Sequence, residues 1–207
     1  MAKIIAIDLD GAFMYSRPFD IAHKEWFKLF SVLLNDPEVK NYAALENYFP
    51  KVHEVMKRYL GNVSEDVQNV FARTIFGMSV VSQANDSDLV SDFADYLRSI
   101  KGKYKIALIT SAPKVCVDPL LEKIKCSDIF DFIYASPIDR QPKKEELFKE
   151  FIEECKKPDF YIGNGDKDIS VCKKLGIKTI SVSWVSKGKV KGDYDISSVS
   201  ELEKIFA

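Results

Sequence analysis

The sequence predicts an α/β fold in which helices cover both faces of a Rossmann-like, mainly parallel sheet and a helical cap is inserted after the first strand. Short apolar runs typical of buried strands alternate with helical patterns over most of the chain. A long helical segment without a convincing strand follows the first of these runs. Alternating strands and helices are typical of layered domains whose parallel strands are joined by right-handed crossovers.

The predicted strands share a short apolar run that borders a turn-forming or polar residue. The first, residues 3–9, is rich in isoleucine and ends in acidic residues and Gly11, which favours a buried parallel strand over a helix. The other predicted strands are residues 104–109, 130–134, 160–162 and 178–182. Helical patterns between them cover residues 92–100, 143–155 and 169–175.

The segment of residues 15–91 contains helical runs rich in aromatic residues and leucine. The predicted helices are residues 23–34, 43–59 and 64–76, with breaks near Pro37 and Gly61. We therefore expect an α/β core domain of residues 1–14 and 92–207 and a helical cap domain of residues 15–91. The aromatic residues of the cap are expected to pack mainly in its interior.

The composition indicates a globular protein without a bias towards anionic partners. The 207 residues are 46% apolar, which is enough for a substantial core. The formal net charge of -1 provides no general attraction to nucleic acid or to an anionic membrane. The four cysteines form no CxxC pair and are expected to be reduced packing residues. The chain starts without a signal-peptide pattern, so we expect a cytoplasmic protein with no nucleic-acid or membrane partner.

Two carboxylates, Asp8 and Asp10, end the first predicted strand. Because side chains two apart on a strand point the same way, and Gly11 allows a sharp turn after them, both are presented together. Two such charges repel unless a cation lies between them or one is protonated. Mg²⁺ meets the first condition, and a proton on Asp10 meets the second. Taken alone, the pair could equally be polar residues that close a strand.

Hydroxyl, amide and carboxylate side chains also end other predicted strands. They are Thr110, Ser111, Asn164, Asp166 and Asp168. The carboxyl ends of parallel strands meet at one edge of the sheet, where folds of this class place their sites. The recurrence of such residues at several strand ends predicts one shared site.

Four segments, taken in order, resemble the motifs of the haloacid dehalogenase superfamily. IIAIDLDGAFMYS resembles its motif I, a DxDG sequence that leads into a cap, and IALITSAP resembles motif II. Lys143 and Lys144 stand where the family keeps its motif III lysine, and YIGNGDKDISVCKKLGIKTISV resembles motif IV and its sequel. The similarity covers about residues 3–14 and 92–206. The chain is similar to the C1-capped phosphatase branch, which includes phosphoglycolate phosphatase and β-phosphoglucomutase.

The resemblance implies roles for these residues. Asp8 would be the nucleophile, Asp10 the general acid and base, and Lys143 the lysine that neutralises charge, with Lys144 as the alternative. The phosphate-binding residues that it implies are Gly11, Thr110, Ser111 and Lys144. The implied ligands of Mg²⁺ are Asp8, Asp10 through its backbone carbonyl, Asn164 and Asp168.

Three positions depart from the family pattern. Ala12 stands where the family often has threonine, and Gln141 replaces the lysine of a common Lys-Pro pair. Asn164 occupies the position of the first metal-binding aspartate of motif IV and brings no charge. Asp166, in the same loop, is the alternative ligand.

The resemblance implies a Mg²⁺-dependent phosphatase that hydrolyses a small phosphorylated metabolite through an aspartyl-phosphate. A phosphomutase is a close alternative, and a binding or regulatory protein with a weakened metal site is the second class of hypothesis. Arg17 and His23, near the first strand, are candidates for contact with the substrate, although a hinge cation and an ordinary histidine are the simpler interpretations. The sequence does not predict the oligomeric state.

Overall fold

The computed structural model describes residues 2–45, 47–186 and 188–206. Its sheet has six strands in the order β3-β2-β1-β4-β5-β6, and all neighbouring strands run parallel. The strands are β1 (Lys3–Ile7), β2 (Tyr104–Pro113), β3 (Phe132–Ser136), β4 (Phe160–Gly163), β5 (Lys178–Val182) and β6 (Tyr194–Ile196). The predicted parallel α/β fold is therefore confirmed.

Helices cover both faces of this sheet. They are α1 (Arg17–Leu33), α2 (Phe49–Leu60), α3 (Glu65–Gln83), α4 (Ser91–Ile100), α5 (Lys114–Lys123), α6 (Lys144–Glu154), α7 (Asp166–Lys174) and α8 (Ser200–Phe206). Because side chains alternate along a strand, Ile5 and Ile7 of β1 pack in the cluster that includes α4, α5 and α8, whereas Ile4 and Ala6 pack with α6 and α7. Both faces of β1 are therefore buried, which explains its continuous apolar run.

The described residues between β1 and β2 form α1 to α4 and two short 3₁₀ helices, Val39–Ala44 and Asp86–Asp88. The helices α1, α2 and α3 share a separate hydrophobic cluster that includes Trp26, Phe30 and Met56. The indole of Trp26 donates a hydrogen bond to the carbonyl oxygen of Ala72, at 3.1 Å. Within the described ranges, no helix is both long and apolar enough to cross a membrane.

The elements differ from the sequence prediction in their bounds. The helix predicted over residues 43–59 is divided into a 3₁₀ helix and α2, and α3 continues seven residues beyond its predicted end, to Gln83. This extension packs closely on α5, since a Cβ atom at Gly77 would lie 3.1 Å from the Cβ of Cys116. The sequence prediction missed three elements: α5, which contains Pro119, α8, which has seven residues, and β6, which has only three.

Arg17 joins the two chain segments that connect the cap helices to the core. Its Nε and Nη2 atoms each donate to one carboxylate oxygen of Asp88, both at 2.6 Å, and Nη2 also donates to the carbonyl oxygen of Gln83 at 2.7 Å. Asp88 is buried and also accepts from the backbone N–H of Asn85. Arg17 therefore has the hinge-like position that was its simpler interpretation.

We expect Asp88→Asn to lower the midpoint of urea unfolding, because the neutral amide cannot pair with Arg17 in the bidentate geometry. Asp86→Asn is the matched control, since Asp86 is exposed in the same 3₁₀ helix. Unfolding is monitored by circular dichroism. Equal midpoints for the two variants would show that the ion pair between Arg17 and Asp88 does not stabilise the fold.

His23 lies on α1 between aromatic side chains. Its ring stacks on Phe76 with centroids 4.5 Å apart, and the Tyr48 hydroxyl lies 2.6 Å from its Nε2. Burial lowers the pKa of His23 to about 4, so the ring is neutral at physiological pH.

This depressed pKa predicts a pH dependence of stability. Between pH 6.5 and about 4 the unfolded chain binds a proton at His23 that the folded protein does not. The free energy of unfolding should therefore fall as the pH falls through this window, by up to about 3 kcal/mol from this residue. His23→Gln should remove that contribution in urea titrations at several pH values. His53→Gln, at the exposed second histidine, should retain it.

Candidate active site

The carboxyl ends of the central strands open into a cavity of about 390 Å³ beneath the cap helices. Asp8 follows β1, Thr110 lies in β2, and Asn164 follows β4; all three line the cavity. The parallel register places β1 between β2 and β4, so these residues converge from distant parts of the chain. This is the edge of the sheet at which a site was predicted.

Gly11 makes the turn after β1 and allows the close approach of the β4 loop. Its φ angle is +78°, and its N–H donates to the carbonyl oxygen of Met14 at 2.8 Å. A Cβ atom at this position would lie 2.4 Å from Nδ2 of Asn164. The positive φ angle therefore favours glycine here, and a larger residue would displace the Asn164 side chain from its present position.

Lys144, at the start of α6, connects the buried carboxylate of Asp8 with the partly buried carboxylate of Asp168. Its Nζ donates to Oδ1 of Asp8 at 2.7 Å and lies 3.3 Å from Oδ2 of Asp168. The phenol of Tyr161 donates to the same Oδ2 atom at 3.0 Å. The Lys144 side chain is 8% exposed, so the ammonium has exchanged most of its water for these partners.

The structure does not bring Lys143, the first choice of the sequence analysis for the catalytic lysine, to this site. Lys143 is the N-terminal cap of α6, has extended backbone angles and is exposed. Lys144 takes the next position, and its side chain enters the cavity. The assignment is corrected to Lys144 because only this side chain contacts Asp8.

The electrostatics of the pair follow from burial. Burial raises the pKa of Asp8 above its usual range; the Lys144 ammonium opposes this shift and Asp168 adds to it. Burial on its own would lower the pKa of Lys144, but the two carboxylates outweigh it and raise that pKa. Lys144 is therefore a permanent cation next to Asp8.

Asp10 also lines the cavity, and its Oδ1 atom is buried without a hydrogen-bond partner among the described residues. Burial raises the pKa of Asp10 above its usual range, and a nearby hydroxyl, Ser16, opposes the shift only in part. A carboxyl group with a raised pKa and a free oxygen is suited to holding and transferring a proton. Its position is compatible with the predicted acid and base role.

The hydroxyl residues of β2 lie on the side of the cavity next to Asp8. Thr110 is buried, and its Oγ1 accepts a hydrogen bond from the backbone N–H of Ala112 at 3.1 Å, which leaves its O–H free to donate. Ser111 is exposed and also lines the cavity. Both residues are near enough to the cavity to contact a phosphate.

The β4 loop separates the two candidate metal ligands. The Asn164 amide donates from Nδ2 to Oγ of Ser186 at 2.8 Å and lines the cavity. Asp166 instead accepts the backbone N–H groups of Lys189 and Val190, both at 2.7 Å, with its Oδ1 atom. Asp166 therefore stabilises the loop of residues 188–190 and does not replace Asn164 at the cavity.

The side chains at the cavity offer the oxygen atoms that Mg²⁺ prefers, but they carry less negative charge than the family pattern provides. The Asp8 carboxylate and the Asn164 amide offer oxygen atoms, which this cation prefers. Asp168, a predicted ligand, is engaged by Lys144 and Tyr161 and so serves first as an anchor for the lysine. In the part of the chain that the structure describes, no three histidine, cysteine or acidic residues are grouped as a metal site.

Two supporting residues were not identified from the sequence. Tyr161 is fully buried in β4 and holds Asp168, and Trp184 donates from its indole nitrogen to the carbonyl oxygen of Ala12 at 2.9 Å. Tyr161 lies between the apolar residues Phe160 and Ile162 in β4, so the local sequence does not distinguish it from an ordinary core residue. Of the cap candidates, His23 lines the cavity and Arg17 does not.

The comparisons with known proteins agree with this geometry. The family model for haloacid dehalogenase-like hydrolases matches residues 8–182. No curated protein sequence matches the chain. Solved structures with the same fold include a predicted phosphatase from Clostridium acetobutylicum, with 19% identity, a TM-score of 0.69, and coverage of 100% of this chain and 98% of that chain. The β-phosphoglucomutase of Clostridium difficile has 18% identity and a TM-score of 0.68, with coverage of 100% and 96%.

A third structure is that of the HAD-hydrolase YfnB from Bacillus subtilis, which is described as bound to magnesium. It has 15% identity and a TM-score of 0.65, and the match covers 99% of this chain and 98% of that chain. These likenesses show the fold, whereas the family match spans most of the chain and includes Asp8, Thr110, Lys144 and Asn164. The chain belongs to the haloacid dehalogenase-like hydrolase family.

Proposed function

We propose that the protein is a Mg²⁺-dependent phosphatase that hydrolyses a small organic phosphate ester through an aspartyl-phosphate. The observation that carries this proposal is the contact of 2.7 Å between Lys144 and Asp8 at the edge of a cavity that also contains Asp10. A carboxylate beside a fixed cation, with a second carboxyl group two residues later, provides a nucleophile and a proton donor.

In the first step, a carboxylate oxygen of Asp8 attacks phosphorus and the bond from phosphorus to the ester oxygen breaks. The proton of the Asp10 carboxyl group moves to the departing oxygen, which leaves as an alcohol. In the second step, the Asp10 carboxylate takes a proton from water as the water oxygen attacks phosphorus. The bond between Asp8 and phosphorus then breaks, and inorganic phosphate and the Asp8 carboxylate are formed.

The remaining residues hold charge and geometry. The Lys144 ammonium neutralises Asp8 and the phosphoryl oxygens, and Asp168 with Tyr161 fixes the position of that ammonium. Thr110 offers an O–H donor from the neighbouring strand. Mg²⁺, held by Asp8, the backbone carbonyl of Asp10 and Asn164, would supply further positive charge at the phosphoryl group.

Hydrolysis of 4-nitrophenyl phosphate tests the proposal. We expect release of inorganic phosphate that requires Mg²⁺ and that falls on the order of 10⁴-fold in Asp8→Asn, because the nucleophile is lost. Lys144→Met should lower kcat by about 10²-fold to 10³-fold through loss of charge at the phosphoryl group. Lys143→Met is the matched control and should retain wild-type turnover. Hydrolysis that survives Asp8→Asn would refute the mechanism, and transfer of the phosphoryl group to a sugar hydroxyl instead of water would identify a phosphomutase.

A second candidate, a binding or regulatory protein with a weakened metal site, is favoured by the neutral side chain of Asn164. A unit charge pair at about 4 Å contributes about 4 kcal/mol at an effective dielectric constant of about 20, before desolvation is subtracted. We therefore expect Asn164→Asp to lower the Mg²⁺ concentration for half-maximal activity by about tenfold or more.

Calorimetric titration of Mg²⁺ measures the same effect without turnover. Asp166→Asn is the control, since Asp166 contacts the backbone of residues 189 and 190 rather than the cavity. If the wild-type protein neither binds Mg²⁺ at millimolar concentration nor hydrolyses phosphate esters, while Asn164→Asp does both, the binding or regulatory function is favoured.

A further inference from the structure

The two sides of the active-site cavity differ in chemistry. The core side presents the charged and polar groups described above, including Asp8, Asp10 and Lys144. The cap side is formed mainly by aromatic rings. The rings that line it include Phe19, His23, Trp26, Tyr48, Phe49 and Phe76.

Most polar atoms of these rings are already engaged. The Tyr48 hydroxyl pairs with Nε2, the nearer ring nitrogen of His23, and the Trp26 indole donates to the carbonyl oxygen of Ala72, so Nδ1 of His23 is the ring atom that stays available to a ligand. His23 is neutral because burial lowers its pKa to about 4. The cap side thus offers few free hydrogen-bonding groups for the hydroxyls of a sugar, but a large apolar surface for a flat ring.

One charged residue interrupts this surface. Among the described cap residues that line the cavity, Arg73 of α3 is the only one with a charge at neutral pH. It is 9% exposed; its Nη2 donates to Oγ of Ser136 at 2.7 Å, and its Nε is buried without a partner. Burial lowers its pKa to about 10 although Asp139 opposes the shift, so Arg73 remains a cation.

Among the described residues, no carboxylate forms an ion pair with Arg73. A buried guanidinium with an unused donor is costly unless an anion completes it. In the proposed reaction, Lys144 on the core side of the cavity is the cation for the phosphate, so Arg73 is available to another anionic group. A volume of about 390 Å³ lies within the range of small-molecule sites and can accommodate a phosphate and a substituted ring together.

We propose that the substrate is a phosphate ester of a ring-bearing, aromatic alcohol with a second anionic group, and that Arg73 binds this group while the cap rings pack on the aromatic part. This inference rests on the proposed function, whose site it extends. It distinguishes the protein from a phosphatase for small polar esters, whose alcohol parts would leave the apolar cap surface without a partner.

The competing explanation is structural: Arg73 could merely fasten α3 to β3 through Ser136. Ser136 is fully buried and is not part of the cavity lining, so Ser136→Ala removes that contact without altering the wall. Phe71 provides the matched control for Phe76, since it is a partly exposed aromatic residue of the same helix outside the cavity lining.

The test compares kcat/KM for ethyl phosphate, benzyl phosphate and 4-carboxybenzyl phosphate, whose leaving alcohols have similar basicity. We expect an increase of about tenfold or more at each step of this series, mainly through KM. Phe76→Ala should reduce the preference for benzyl over ethyl, whereas Phe71→Ala should not. Arg73→Gln should abolish the preference for the carboxylated ester and Arg73→Lys should retain part of it, while Ser136→Ala should leave it unchanged. Thermal unfolding verifies that each variant is folded.

The outcomes separate the inference from the proposed function. If hydrolysis depends on Asp8 but ethyl phosphate or phosphoglycolate is preferred, the substrate class is overturned and the phosphatase stands. If Arg73→Gln and Ser136→Ala weaken all esters equally, Arg73 has only a structural role. If no ester is hydrolysed, the phosphatase proposal fails. The ligand class is then tested by the dissociation constants of ethyl-, benzyl- and carboxybenzylphosphonate: binding that tightens in this order supports the inference, and any other order overturns it.

Discussion

The buried ion pair between Lys144 and Asp8 is the interaction on which the arrangement of the site depends. An ammonium ion that is 8% exposed must recover the hydration energy that it has lost, and a single carboxylate at 2.7 Å does so only in part. Asp168 is the second partner, and Tyr161 fixes Asp168. The ends of β1 and β4 and the starts of α6 and α7 are thereby held around one cation, which makes the sheet edge a rigid site.

A second contact explains how the loop after β4 departs from the family pattern without disturbing the fold. Gly11 and Asn164 are in close contact, and this contact depends on the absence of a Cβ atom rather than on charge. Replacement of an aspartate by Asn164 therefore preserves the shape of the loop while it lowers the negative charge around the cation. In the proposed phosphatase, the loss would lower the affinity for Mg²⁺, whereas the contact between Asp8 and Lys144 does not involve Asn164.

Local pattern was sufficient to predict the fold and the starts of four strands, because apolar residues recur in each of these short segments and β1 is a nearly continuous apolar run. The sequence pattern could not distinguish Lys143 from Lys144. Both are lysines at the start of a predicted helix, and the exact residue at which the helix begins determines which side chain points into the cavity. Asp166 was equally ambiguous, because its partners are backbone groups more than twenty residues away. Tyr161 was hidden for a related reason: its role arises from a tertiary contact of an otherwise apolar strand.

The division of the cavity into a charged core side and an apolar cap side has a physical consequence for the reaction. The phosphoryl group and its counter-charges need fixed dipoles and cations, which the sheet edge provides from rigid elements. An apolar ring of a ligand needs only an apolar surface to pack on. The aromatic residues that pack the cap helices against each other also provide this surface, so the same rings can stabilise the cap and bind the ligand. Arg73 is the exception on that surface, because a buried cation contributes little to packing. In the proposed substrate complex, the second anionic group would compensate this charge.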